Sequence, residues 1–302
     1  MSTLPDVHIG DAIRHGALSV FPLFGSSPGG VDYLLSDEAI SAGSVTVEEV
    51  SEGGSVPNLL VTNQGDSRVL FLEGEELRGA KQNRVLNTSV LVAAHSKTPI
   101  PVSCVEQGRW RYRSRQFESS RSHSSSKLRH YLKASVSHSL KSGRGHSSDQ
   151  GAVWHEVSRQ MDSLCTSSDT AAMADTYQSY SARLAEFRDH VRYVDGATGI
   201  AVAVGQKVVA MDLFDKPSTC AKVWDRLLTG VVMDALEADS KAPAAEPAEV
   251  ARLISRLRDS AWEPTTPVGV GQEFRFDADP ETHASALVFQ DSVLHGSVVV
   301  AS

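Results

Sequence analysis

The chain has 302 residues, 41% of them hydrophobic and 22% charged, with a formal net charge of −8. Apolar content is sufficient for one large core, and the acid excess argues against a protein that coats nucleic acid over its whole surface. No stretch approaches the roughly 18 apolar residues of a membrane-spanning helix, which excludes that class. The charge is unevenly placed: residues 108–146 carry ten Lys and Arg against the single acid Glu118, a local +9 that leaves −17 elsewhere. Cys104, Cys165 and Cys220 are odd in number, widely spaced and free of any CxxC pair, and the start MSTLPDVHIGDAIRHG lacks a basic segment followed by an apolar one. These features predict free thiols and a reducing, cytoplasmic setting without membrane association.

In chain order, residues 17–24, 44–50 and 58–62 read as strands separated by Gly, Ser, Pro and Asn clusters. Ser26-Ser27-Pro28-Gly29-Gly30 reads as a plain loop, because a phosphate loop needs a Lys and a following helix. Residues 69–72 form a short apolar run that ends in a turn carrying Glu73, Glu75 and Glu76 around Gly74 and Gly79. Lys81, Gln82, Asn83 and Arg84 lead into a second run, 85–94, and a third, 100–105, follows the Lys97-Thr98-Pro99 break. The pattern predicts a meander of antiparallel strands.

Side chains two apart share a face of a strand, so Ile100, Val102, Cys104 and Glu106 align. The thiol and carboxylate then reach the strand end beside Gly108, Arg109 and Trp110, where a pocket mouth is expected. The bland alternative is a buried Cys104 and a Glu106 paired with Arg109 or Arg84. Glu75, Lys81, Gln82, Asn83, Arg84, Asn87 and Glu106 nevertheless form a dense polar set for strand-forming sequence, and burying such groups unpaired is costly. Arg84 and Glu106 are therefore expected to converge on one concave surface.

The segment EGEELRGAKQNR, followed by NTSVLV and IPVSCVEQGRW, resembles the central signature of the ARG and rhodanese-phosphatase-superfamily-associated protein domain family. DLFDKPSTCAKVWDRL, GVGQEFRF and LVFQDSVLHGSV are similar to its C-terminal blocks, so the resemblance runs from about Asp11 nearly to the end. It implies a role near NAD or ADP-ribose metabolism. It also implies a functional surface made of Glu75, Lys81, Gln82, Asn83, Arg84, Cys104, Glu106, Arg109 and Trp110.

Residues 108–148 form a basic, Ser/Arg-rich insert with two readings: a solvated loop, or an anion-binding arm in which Trp110, Tyr112 and Tyr131 interleave with Arg. Leu128, Leu132, Val136 and Leu140 recur every four residues and predict an amphipathic helix within it. Ser147 and Gln150 have capping-box spacing, predicting a helix from near Asp149 with Val153, Trp154, Val157, Met161 and Leu164 inward. A second helix is predicted from near Ala171 through Tyr177, Tyr180 and Phe187. Residues 200–204 and 207–214 read as a hairpin about Gly205-Gln206, and Asp215 with Pro217 opens a helix. Residues 239–247 read as a flexible break before a short helix carrying Val250, Leu253, Ile254 and Leu257. Strands at 273–276, 286–289 and 293–300 close the chain.

This order predicts an α+β fold in one composite domain over 1–302: an N-terminal antiparallel β-rich sheet or sandwich, a helical middle, and C-terminal strands completing the sheet. The expected activity is that of an enzyme on a phosphate-bearing nucleotide derivative related to NAD or ADP-ribose. Lys81, Arg84 and Arg109 would hold phosphates, with Gln82, Asn83 and Asn87 beside them, and Trp110 would stack on a ring. Two chemistries stay open: Cys104 as nucleophile, or Glu75 or Glu106 activating water or holding a hydrated Mg²⁺. Arg275 and His295 are assigned supporting positions behind the site, and His155 and His283 structural ones. A non-catalytic module for ADP-ribose, NAD or RNA ends is the first alternative, and a structural or oligomeric partner protein the second. Oligomeric state is not legible in the residues.

Overall fold

Short turn-bounded runs become strands throughout the N-terminal part of the computed structural model, which describes residues 4–25, 30–51, 57–277 and 279–301. They are β1 (Val7–Ile9), β2 (Ile13–His15), β3 (Leu18–Gly25) and β4 (Tyr33–Leu35), then the short helix α1 (Ser36–Ser41). β5 (Val45–Glu49), β6 (Asn58–Asn63), β7 (Arg68–Phe71), β8 (Glu75–Gly79), β9 (Arg84–Leu86) and β10 (Val90–Val92) follow. β11 (Ser96–Cys104) and β12 (Phe117–His123) complete that part, and α2 (Ser126–Lys141), α3 (Gln150–Ser163), α4 (Met173–Ser179) and α5 (Ser181–His190) make the helical middle. The hairpin β13 (Gly199–Val204) and β14 (Lys207–Phe214) precedes α6 (Pro217–Leu236) and α7 (Pro247–Asp259). β15 (Glu263–Thr265), β16 (Gln272–Phe276), β17 (Thr282–Phe289) and β18 (Ser292–Val300) end the chain.

The largest sheet runs β1-β3-β13-β14-β18-β17-β16-β15, with β2 also on β3, and every pairing in it is antiparallel. N-terminal and C-terminal strands thus share one sheet, and the fold is α+β. Alternation divides its two faces: Val20, Ile200 and Val202 pack with α2, α3 and α6, whereas Phe21, Leu23 and Ala201 pack against Leu253 and Leu257 of α7. The second sheet runs β12-β8-β9-β11-β6-β5 and the third β10-β7-β4. A separate apolar cluster, including Val47, Val61, Phe71, Leu86 and Val102, joins strands of these two. No helix among the described residues is long and apolar enough to cross a membrane.

Several expectations are corrected. The acidic turn is only Glu73-Gly74, where φ of +77° at Gly74 reverses the chain; from Glu75 onward the segment is β8, paired with β9 and β12. The run 85–94 is two strands in different sheets, β9 on β11 and β10 on β7, so the meander does not form as a single ribbon. Its break falls at Asn87, Thr88 and Ser89, whose side chains bond to distant groups across the interior. β4 and β7 are parallel, and the connection between them opens with α1, a helix not anticipated in this region, before β5 and β6. The predicted helix after Ala171 is two, α4 and α5, meeting at Tyr180, whose hydroxyl donates to Leu164 O at 2.9 Å. Asp149, not Ser147, caps α3 by accepting from Ala152 N. Within the segment 239–247, Ala245 is buried and its carbonyl accepts from Arg14 Nη2 at 3.1 Å. Of the loop 26–30, residues 26–29 lie outside those described.

The insert contributes to the interior as well as to the surface. Leu128, Leu132 and Val136 of α2 are buried as the four-residue spacing predicts, but so are Arg129 and Lys133. Arg129 grips Asp212 with two nitrogens at 2.5 and 3.0 Å and stands 3.5 Å from Glu73, while Lys133 pairs with Glu73 and donates to Ser285 Oγ at 2.6 Å. His295 lies 3.1 Å from Asp212 and 2.6 Å from Ser89 Oγ. Burial alone would raise the Glu73 and Asp212 carboxyls; Lys133 and Arg129 hold Glu73 below the usual range, and Arg129 with His295 holds Asp212 far below it. Removing one member of such a buried pair strands the other's charge. We expect Glu73→Ala to lower stability by about 3–5 kcal/mol and Glu73→Leu/Lys133→Met to recover part of the loss, as read from urea unfolding; a single-variant loss near zero would contradict this.

Candidate functional site

The signature residues are positioned by β8, β9 and the end of β11. Cys104 sits opposite Arg84 in the β11–β9 register, which places the two side chains on one face of the sheet. On the far edge of β11, Cys104 N–H donates to Gln150 Oε1 at 2.8 Å and Gln150 Nε2 donates back to the Cys104 carbonyl at 2.9 Å. The amide of α3 thereby takes the place of a neighbouring strand residue. Burial pushes the Cys104 thiol up to about 11, with Arg84 lowering it and Glu49 raising it.

Beyond Cys104 the chain folds into a clamp. Arg109 donates to both oxygens of Glu106 at 2.8 and 2.6 Å, to the carbonyls of Ala80, Arg111 and Gly79, and to Asn83 Oδ1. Glu106 also accepts from Asn83 N at 3.0 Å and Thr170 Oγ1 at 2.9 Å. Burial favours the neutral Glu106 carboxyl, but these donors hold it below the ordinary carboxylate value. Gly79, at φ +129°, is required here, since a Cβ would stand 2.7 Å from Gln116 O. Ala80 follows at φ +36°; its carbonyl accepts Arg113 N at 2.9 Å and its N–H donates to Ser114 Oγ at 3.0 Å. The arm is thus fastened to the signature turn.

Outside the clamp lies a cavity of about 830 Å³ lined by Glu48, Glu49, Tyr112, Arg113, Ser114 and Arg115. Lys81 Nζ lies 5.2 Å from the Trp110 ring centre and 5.1 Å from that of Tyr112, and the Arg84 guanidinium lies 5.8 Å from the Trp110 ring. Trp110 and Tyr112 are 48% and 51% exposed. Beneath them Arg84 is fully buried, bonded to Gln82 Oε1 at 3.1 Å and 3.6 Å from Glu49, too far for a hydrogen bond. Nε and Nη2 of Arg84 and both oxygens of Glu49 have no hydrogen-bond partner among the described residues.

Apart from Cys104, opposite Arg84 on β11, the predicted residues fall into three groups. Lys81, Gln82, Arg84 and Trp110 gather beside the cavity without lining it, Lys81 against the lining residue Tyr112 and Arg84 against the lining residue Glu49. Asn83, Glu106 and Arg109 form the clamp behind it, in contact through Asn83 but with Glu106 bonded to Arg109 and not to Arg84. Asn87, Arg275, His295 and Glu75 lie elsewhere in the interior: Asn87 bonds His146 O and Ser103, Arg275 pairs with Glu273 at 2.7 Å, and Glu75 accepts from Ser36 and pairs with Arg226 at 3.1 Å. Among the described residues no group of three or more His, Cys, Asp and Glu is gathered as a metal ion would require. Glu49 was missed by sequence reasoning, yet the signal is present. Val45, Val47 and Glu49 share one face of β5, and an acid on a buried face asks for a partner.

The model of one protein family, the ARG and Rhodanese-Phosphatase-superfamily-associated Protein domain, matches residues 6–299. Neither a curated protein nor a solved structure matches the chain.

All three cysteines are free, with Cys165 exposed and Cys104 and Cys220 buried. Burial raises the two buried thiols to about 11 and about 12, so neither is a thiolate near neutrality. Iodoacetamide at pH 8 should alkylate native protein at Cys165 and leave Cys104 unmodified, a pattern that peptide mass spectrometry reads directly; prompt labelling of Cys104 would restore the nucleophile reading.

Proposed function

This chain belongs to the ARG and Rhodanese-Phosphatase-superfamily-associated Protein domain family, and from that premise we propose that it recognises a phosphate-bearing nucleotide derivative, of the NAD or ADP-ribose kind, in the cavity beside Trp110. The observation that carries this reading is the buried Arg84, two of whose nitrogens have no hydrogen-bond partner among the described residues, beneath an exposed aromatic pair. Leaving a buried donor unmade costs about 1–3 kcal/mol, and a phosphate oxygen is the acceptor a guanidinium takes best. Lys81, Arg111, Arg113 and Arg115 add positive potential around it, against Glu48 and Glu49. Trp110 and Tyr112 offer faces on which a base stacks. Recognition is favoured over turnover through the residues first assigned to catalysis, because Glu75 and Glu106 are held in ion pairs and the Cys104 thiol is raised.

A calorimetric titration of ADP-ribose at low salt should show the triple variant Arg111→Glu/Arg113→Glu/Arg115→Glu binding at least tenfold more weakly than wild type, with the gap closing as salt screens the exposed charges. Stability should move by no more than about 0.5 kcal/mol per substitution. Equal affinities at low salt would refute the reading.

One observation favours a catalytic form of the same site. Glu49 lines the cavity with neither oxygen hydrogen-bonded to a donor among the described residues, the arrangement a general base needs to take a proton from water. If so, wild type incubated with ADP-ribose should yield a hydrolysis product by chromatography, and Glu49→Gln should retain binding while losing product formation; product from Glu49→Gln at the wild-type rate would remove Glu49 from that role.

A further inference from the structure

Three polar residues of α2 lie on one face at four-residue spacing: Arg129, Lys133 and Ser137. The first two end on Asp212 and Glu73 in the interior. Ser137, one turn further, is equally buried at 3% exposure, but its Oγ has no hydrogen-bond partner among the described residues. The same is true of Thr265 Oγ1 on β15 and of Nη1 of Arg275 on β16. Arg275 is 3% exposed, and its other nitrogens are occupied, Nε by Glu273 at 2.7 Å and Nη2 by Thr88 Oγ1 at 3.2 Å. All three residues line one cavity of about 320 Å³, whose rim carries Lys141, Glu263 and Asp277.

We infer that this cavity, walled by α2, β15 and β16 and sharing no lining residue with the cavity beside Trp110, binds the phosphoryl group of a small hydroxyl-bearing phosphomonoester. A guanidinium nitrogen and two hydroxyls contributed by a helix and two strands approach from different directions, which suits a tetrahedral oxyanion. Lys141, paired with Asp277 at 2.6 Å, supplies a second cation at the mouth. The lining is electrically balanced, two cations against Glu263 and Asp277, so recognition rests on directed hydrogen bonds, not on a field. The two rim carboxylates accept from ligand hydroxyls, which sets a sugar phosphate apart from bare phosphate.

The test exploits the missing partners. A hydroxyl with no hydrogen-bond partner among the described residues can be deleted without loss of stability, so Ser137→Ala and Thr265→Val should keep the wild-type melting temperature. In calorimetric titrations of the full chain with ribose 5-phosphate and with inorganic phosphate, each substitution should weaken binding about tenfold. Ribose 5-phosphate should bind more tightly than phosphate. The Arg111→Glu/Arg113→Glu/Arg115→Glu variant should retain this binding event, which separates it from the Trp110 cavity. Unchanged affinity in Ser137→Ala and Thr265→Val, or loss of the event in the arm variant, would overturn the site. Equal affinity for the two probes would overturn the phosphomonoester assignment.

Discussion

Two acids and two bases without access to water, Glu73, Asp212, Arg129 and Lys133, fix the geometry on which the remainder of this protein depends. Each ion taken out of water costs several kcal/mol even after relaxation, and the sum is offset only when every partner is in register. The four residues come from the β7–β8 turn, α2 and β14, with Ser285, His295 and Ser297 of β17 and β18 closing the remaining contacts. Turn, helix and large sheet are therefore positioned together or not at all. Burial takes Lys133 down to about 8 even beside Glu73, a measure of how far this cluster lies from solvent.

The signature block inherits its position from that cluster. Glu73, in the turn after β7, sits inside it, and β8 carries the chain from there to the Gly79-Ala80 knot, where Arg109 and Ser114 fasten the arm. Ion pairing then divides the polar residues by what they can still do. Arg109 has its nitrogens spent on Glu106, Asn83 and backbone carbonyls, so it serves as a rivet; Arg84, hydrogen-bonded to Gln82 and paired with Glu49, keeps hydrogen-bonding capacity in reserve among the described residues. Two arginines of one sequence block, identical in chemistry, differ in what they offer a ligand because one is surrounded by acceptors.

Much of this was legible in the residues. The stripe of Val250, Leu253, Ile254 and Leu257 is the buried face of α7, the Gly205 turn joins β13 to β14, and Pro217 opens α6. These features are local, governed by period and turn chemistry. What escaped depends on partners far along the chain. Arg129 and Lys133 look like surface in a run of Ser and Arg until Asp212 and Glu73 are brought against them. The apolar run 85–94 looks continuous because nothing nearby shows that Asn87, Thr88 and Ser89 bond to His146, Glu273 and His295. Of the candidate site residues, Glu75, Asn87, Arg275 and His295 lie apart from the group around Arg84 and Arg109, and which of the others were already neutralised required the third dimension.

The double contact between Gln150 and the Cys104 backbone bears on how the protein behaves in company. β11 carries β9 on one side at Cys104, and β6 has already left the other side, its register ending at Pro101. A bare strand end of that kind, rich in Val, Ile and Cys, is a template onto which another chain can add. A single amide, supplied by the first residue of α3, occupies both backbone groups and leaves nothing for an incoming strand to bond. The helix following the basic insert is thus also a guard against self-association, and loss of its first turn would expose adhesive sheet edge before it disturbed any cavity.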